Sequence, residues 1–143
     1  MATLNPYLSY KGNAEEAFDF YKSVFGGEFA AVMHFSEMPP EHTLPEGDLK
    51  KIMHIALPIG KTSVLMGCDV PETFGNSIIG TNFNVLVTAD SKEEANKLFN
   101  GLLEGGKVTM PIQDAFWGAY FGMLTDRFDI QWMISYNTNL PQQ

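Results

Sequence analysis

The chain has 143 residues, a formal charge of −8 and 45% apolar residues. Roughly 70% of the unfolded surface can be buried at such a length, and the composition is ordinary for a globular domain. The nine basic residues are scattered, with only Lys50 and Lys51 adjacent. An acidic surface of this kind repels phosphate backbones and anionic lipids, which argues against nucleic-acid and membrane partners.

No apolar run approaches the ~20 residues of a membrane helix. The opening Met1-Ala2-Thr3-Leu4-Asn5-Pro6 has neither the basic region nor the apolar core of a signal peptide. Cys68 is the single cysteine and has no internal disulfide partner. These features together predict a cytoplasmic protein in a reducing compartment.

In chain order, Leu4–Tyr10 reads as a strand. Asn13-Ala14-Glu15-Glu16-Ala17 then gives a capping-box signal, an Asn followed three residues later by Glu. Ala17, Phe18, Tyr21, Val24 and Phe25 recur at helical spacing and Gly26-Gly27 ends the run, so a helix is predicted over 13–25. Three strand-like stretches follow, Glu28–Ser36, Lys51–Pro58 and Thr62–Cys68, the last two joined by a turn signal at Gly60-Lys61. Glu37–Leu49, rich in Pro and Glu, is a predicted loop insertion, and Asp69–Gly80 a linker.

The second half repeats the pattern. Asn82–Thr88 reads as a strand, and Ser91-Lys92-Glu93-Glu94-Ala95 opens another capped segment. Its stripe is Ala95, Leu98, Phe99, Leu102 and Leu103, and Gly105-Gly106 ends it, giving a helix over 91–104. Strands are predicted at Lys107–Pro111, Gly118–Thr125 and Ile130–Tyr136, with a turn at Asp126–Asp129 and a fraying polar tail from Asn137 to Gln143. Cap, stripe and terminating Gly-Gly recur together, which marks an internal duplication. The expected fold is α+β: two βαβββ modules, about 1–70 and 81–137, forming curved mixed sheets with outer helices in one domain, 1–143. A single helix covers one face of such a sheet. The other face must close against the second module or a second chain, and a groove between repeated halves is where a small ligand would bind.

Three stretches covering nearly the whole chain carry a family resemblance. They are Asn5-Pro6-Tyr7-Leu8 through Gly12-Asn13-Ala14-Glu15-Glu16-Ala17 to Phe25-Gly26; Met53-His54 with Leu57-Pro58-Ile59-Gly60 and Leu65-Met66; and Gln113-Asp114-Ala115-Phe116-Trp117-Gly118 with Tyr120, Gly122, Asp126, Phe128 and Trp132. In these the chain resembles PhnB-like proteins of the vicinal oxygen chelate (glyoxalase, bleomycin resistance, dioxygenase) superfamily. The resemblance implies the paired βαβββ fold and a homodimer with a groove shared or completed between chains. The family usually has Gly where this chain has Asp129, a departure that bears on the local turn.

Metal-dependent relatives hold a divalent ion through His, Gln or Glu on the first and last strands of each module. Here those strands offer Asn5, Pro6, Tyr7, Asn82, Phe83 and Asn84, then Met66, Gly67, Cys68, Gln131, Trp132 and Met133. Amides alone are poor ligands for transition metals, so no resident metal or other cofactor is expected. The resemblance sets Trp132 where relatives carry a metal-binding carboxylate, and Asn82 or Asn84 where they carry another ligand.

The predicted ligand-lining residues are therefore His54, Gln113, Trp117, Trp132, Asn82 and Asn84. His54 reads either as a half-buried strand residue or as a groove base working near neutral pH. Trp117 and Trp132 read as core or as pocket wall, and Cys68 as a small buried hydrophobe. Binding of a small organic molecule without turnover is the leading expectation. A metal-dependent lyase, isomerase or dioxygenase of the same superfamily is the alternative. A methyltransferase of the usual nucleotide-binding fold lacks its Gly-x-Gly-x-x-Gly loop here.

Overall fold

The computed structural model describes residues 2–38, 44–71, 75 and 78–137. The chain divides into two compact units, Met1–Ile78 and Ile79–Gln143. In the first, β1 (Tyr7–Tyr10), α1 (Ala14–Phe25), β2 (Ala31–His34), β3 (Ile52–Ile59) and β4 (Ser63–Asp69) follow in sequence. The strand order is β1-β4-β3-β2, with β1 parallel to β4 and the other pairs antiparallel. The second unit repeats this with β5 (Val85–Thr88), α2 (Lys92–Leu103), β6 (Lys107–Ala115), β7 (Ala119–Thr125) and β8 (Gln131–Asn137), in the order β5-β8-β7-β6 with β5 parallel to β8. The expected βαβββ pattern is thus present twice, as two mixed four-stranded sheets. No helix among the described residues is long and apolar enough to cross a membrane.

Element ends differ from expectation where backbone pairing decides them. β2 is only four residues long, because the chain leaves it into a 3-10 turn at Phe35–Glu37 after a register shift between Met33 and His34. β6 runs four residues beyond the predicted end and takes in Pro111 and the Gln113-Asp114 pair. Proline is tolerated there because β6 is an edge strand with two register shifts. Residues 39–43 of the predicted insertion, including His42, lie outside the described residues, as do 72–74, 76 and 77 of the linker and the tail 138–143.

The helix faces follow from burial. Ala14, Ala17, Phe18 and Tyr21 of α1 are fully buried. A Cβ added at Gly67 would lie 2.8 Å from the Phe18 ring, so Gly67 looks toward α1, together with its register partners Leu8 and Ile55. In the second unit a Cβ at Gly122 would lie 2.9 Å from Phe99 of α2. Gly122 pairs with Ile134, and Leu124 pairs with Trp132. Leu124, Trp132 and Ile134 are all buried, so they make up the α2-covered core. Strand alternation sends the intervening residues to the opposite faces.

The two helices start differently, although their sequences look alike. Ser91 accepts a hydrogen bond from the Glu94 amide at 3.0 Å, and Glu94 reaches back to the Asp90 amide at 2.9 Å. Asn13 makes no such side-chain cap. The start of α1 is instead capped from β4: Asp69 Oδ1 accepts from the Gly12 and Ala14 amides at 2.8 and 3.0 Å, while Oδ2 accepts from Ile52 at 2.9 Å. The expected capping box at Asn13 is replaced by a buried carboxylate from 55 residues further along the chain. Asp129 has φ 68°, the left-handed conformation that glycine adopts at least cost and Asp tolerates. The turn geometry that the family's Gly would serve is kept here by Asp.

Candidate functional site

The face of the first sheet turned away from α1 carries Tyr7 and Ser9 from β1, Met66 and Cys68 from β4, His54 and Ala56 from β3, and Met33 from β2. Parallel pairing sets Tyr7 beside Met66 and Ser9 beside Cys68, while antiparallel pairing sets Met33 beside His54. Tyr7 reaches across β4, so its hydroxyl lies 3.2 Å from His54 Nδ1 and the two rings stack with centroids 5.8 Å apart. Cys68 lies beside Ser9 in the register and on the same face as Tyr7. Tyr7 is half exposed. Burial, then the neighbouring Cys68 as a charge and as a hydrogen-bond partner, pushes the phenol up to about 12. Burial foremost, with the Asp69 charge adding to it, also pushes the Cys68 thiol up, against the lowering effect of hydrogen bonds from Tyr7 and Ser9. Both groups therefore hold their protons at neutral pH.

The corresponding face of the second sheet is more apolar. Phe121 and Met123 of β7, Met133 of β8 and Leu86 of β5 occupy it by alternation. The β6–β7 turn adds Trp117, whose ring meets Phe121 edge-on at 5.5 Å. Trp117 is 55% exposed and Leu86 57%. Gly118, at φ 92°, lets the turn close behind the indole. Gln113 is paired with Phe121 and exposed, an amide at the rim of this apolar surface.

The predicted residues thus separate. His54 belongs to the first unit, in contact with Tyr7, which the sequence had offered only as a first-strand residue without a role. Gln113 and Trp117 come together around Phe121 in the second unit. Asn84 is partly buried just before β5, and Asn82 is exposed. Trp132 is a correction: it is fully buried on the α2 side, and its indole N–H donates to Asp126 Oδ2 at 2.8 Å. It lines no open face, because β8 presents the opposite alternation from the one assumed. Asp114 is ion-paired with Lys92 of α2 at 3.1 Å and stands apart from the apolar face. The involvement of Tyr7 with His54 was beyond sequence reasoning, since a contact across β4 depends on the parallel register of β1.

The donors present do not suit the divalent ion that metal-dependent members hold. Such ions prefer several imidazole, thiolate or carboxylate ligands together, whereas this face sets the His54 imidazole beside the Tyr7 phenol and the Cys68 thiol, with no carboxylate among the described strand residues turned to it. Asp69 and Asp126 are committed to backbone amides on the helix sides of their sheets. Among the described residues no group of three His, Cys, Asp or Glu side chains is placed to hold a metal.

Residues 3–134 match the model of the Glyoxalase/Bleomycin resistance protein/Dioxygenase superfamily. The chain belongs to this superfamily. Protein YjdN of Escherichia coli (strain K12) is 29% identical over 98% of this chain and 99% of its own length. The crystal structure of protein PA1353 from Pseudomonas aeruginosa is 38% identical, covers 96% of this chain and 98% of that one, and superposes with a TM-score of 0.83. A PhnB protein from Bacillus cereus, described as a putative 3-demethylubiquinone-9 3-methyltransferase, shares the fold with a TM-score of 0.74 at 23% identity, covering 94% and 99% of the two chains. Superfamily membership accounts for the duplicated βαβββ plan. It leaves the chemistry to the side chains on the open sheet faces.

Proposed function

We propose that this superfamily member binds a small apolar or aromatic organic molecule on the open faces of its sheets, without metal-assisted turnover. The observation that carries the reading is the exposed Trp117–Phe121 surface with Met110, Met123, Met133 and Leu86 around it and the Gln113 amide at its rim. Aromatic walls with adaptable Met side chains and few polar groups are the usual lining of small-molecule sites.

The chain has two tryptophans, one exposed and one buried, so each indole N–H signal in a nuclear magnetic resonance spectrum reports a separate environment. Titration with 2-methylnaphthalene in the presence of a chelator is expected to shift the Trp117 indole signal and leave that of Trp132 in place. Trp117→Ala is expected to weaken binding about tenfold, given ~0.5–1.5 kcal/mol for an aromatic pair beyond its buried area. An unmoved Trp117 signal, or binding that requires added divalent ion, would sink the reading. The family resemblance and the exposed strand edges further support a homodimer. Light scattering at low micromolar concentration is expected to give twice the 15.9 kDa chain mass, and a monomer mass would refute it.

A further inference from the structure

The donor set on the open face of the first sheet is soft. One step beyond the Ile55–Gly67 pair, His54 of β3 and Cys68 of β4 stand side by side, and on the other side of His54 the register sets Met33 of β2. Thioether, imidazole and thiol therefore form a row across three adjacent strands, all on the face turned away from α1. Neighbouring strands lie about 4.8 Å apart, which brings each donor within side-chain reach of the next. Met33 is exposed, and His54 and Cys68 are partly so, which leaves the row open to an ion from solvent.

The His54 ring is already held. Tyr7 stacks on it with centroids 5.8 Å apart, and the Tyr7 hydroxyl takes Nδ1 at 3.2 Å, which leaves Nε2 for an ion. A ligating imidazole is commonly fixed through its second nitrogen in this way. Cys68 is the single cysteine of the chain, so no disulfide within the chain competes for its sulfur.

Charge decides which ion fits. The four strands hold one carboxylate, Asp69, and no Lys or Arg, and Asp69 is turned to the α1 side. One thiolate neutralises a monovalent cation and leaves the occupied site uncharged. The same thiolate would leave a divalent ion with a net positive charge on a largely apolar face, where desolvation opposes it. Thiolate and thioether sulfur also select Cu(I), whereas harder ions look to oxygen donors.

We propose that Met33, His54 and Cys68 form a binding site for a soft monovalent cation, Cu(I), on the open face of the first sheet. Loading forms Cu–S bonds to Cys68 and Met33 and a Cu–N bond to His54. The Cys68 S–H bond breaks and its proton passes to solvent, while copper keeps its oxidation state. The site goes beyond the small-molecule reading, whose Trp117–Phe121 surface belongs to the second unit.

The test titrates the full chain, labelled with ¹³C at the methionine methyl groups, with Cu(I) under argon, and measures uptake against the chelator bicinchoninate. One equivalent per chain is expected to leave the chelator and to shift the Met33 methyl signal, with Met123 and Met133 of the second unit unmoved. Zn(II) is expected to leave the Met33 signal in place. Cys68→Ser should abolish uptake. Met33→Leu and His54→Phe should each weaken it by about tenfold or more, since even an outer-shell partner is worth roughly 10–100-fold in metal affinity. Met33→Leu is close in volume and decides the matter if His54→Phe disturbs the sheet. No uptake, a Met33 signal that Cu(I) does not move, Zn(II) bound tighter than Cu(I), or uptake unchanged in both Met33→Leu and His54→Phe overturns the site, the last by showing a thiol acting alone. Binding of 2-methylnaphthalene at Trp117 is measured separately, so either reading can fail while the other stands.

Discussion

Trp132→Ala is expected to destabilise the protein by about 4–5 kcal/mol. Truncating a buried Trp typically costs about 3–5 kcal/mol, and Trp132 has no exposed surface. Its ring is enclosed between Leu124, its partner across β7, and the α2 side of the core. The substitution also strips Asp126 Oδ2 of its indole donor, a hydrogen bond to a charged acceptor worth roughly 1.5–3 kcal/mol. Asp126 Oδ1 keeps the Phe128 and Ile130 amides at 2.7 and 3.1 Å, so the turn before β8 retains part of its anchoring. Trp132→Phe keeps the six-membered ring but loses the pyrrole ring with its N–H, so a smaller loss of about 2–4 kcal/mol is expected from the cavity and the lost hydrogen bond together. Urea denaturation of the two variants measures both losses, and the difference between them is the share of the six-membered ring. If Trp132→Ala lost less than about 1 kcal/mol while weakening ligand binding, Trp132 would belong on an open face after all.

Asp69→Ala is expected to be at least as damaging. Its carboxylate accepts three backbone N–H groups, from Gly12, Ala14 and Ile52, and is 2% exposed. Each such donor left without an acceptor costs roughly 1–3 kcal/mol, which sets the loss at about 4–6 kcal/mol against a typical total of ~5–15 kcal/mol. Asp69→Asn keeps one acceptor oxygen but turns an NH2 group toward an amide N–H, so about half that loss is expected. Amide hydrogen exchange locates the effect: Gly12, Ala14 and Ile52 should lose protection first in Asp69→Asn, and the first turn of α1 should fray. A uniform loss across both units would instead mean that Asp69 acts on global stability without capping α1.

The duplicated plan was legible from the chain because it is written in local chemistry. Ala17, Phe18 and Tyr21 repeat at helical spacing, as do Ala95, Leu98, Phe99 and Leu102, and the Gly pairs after each run allow the positive φ that ends a helix. The cap at Ser91 is likewise local, since its partner Glu94 lies within one turn. Asn13 carries the same local signal, yet its helix is capped by Asp69, and only the folded sheet brings β4 to that point. The His54 and Trp117 readings required only that strand and turn residues be polar or aromatic.

What separated Trp132 from Trp117 was tertiary. Both are indoles in the last third of the chain, but the side of the sheet on which a strand residue falls depends on register, and a slip of one residue exchanges every side chain between faces. The pairing of Leu124 with Trp132 places that ring on the α2 side. The parallel pairing of β1 with β4 brings Tyr7 to His54, 47 residues away in the chain. Periodicity follows from neighbouring residues and was readable in the sequence; face and partner follow from hydrogen bonds between distant strands, and only the fold decided them.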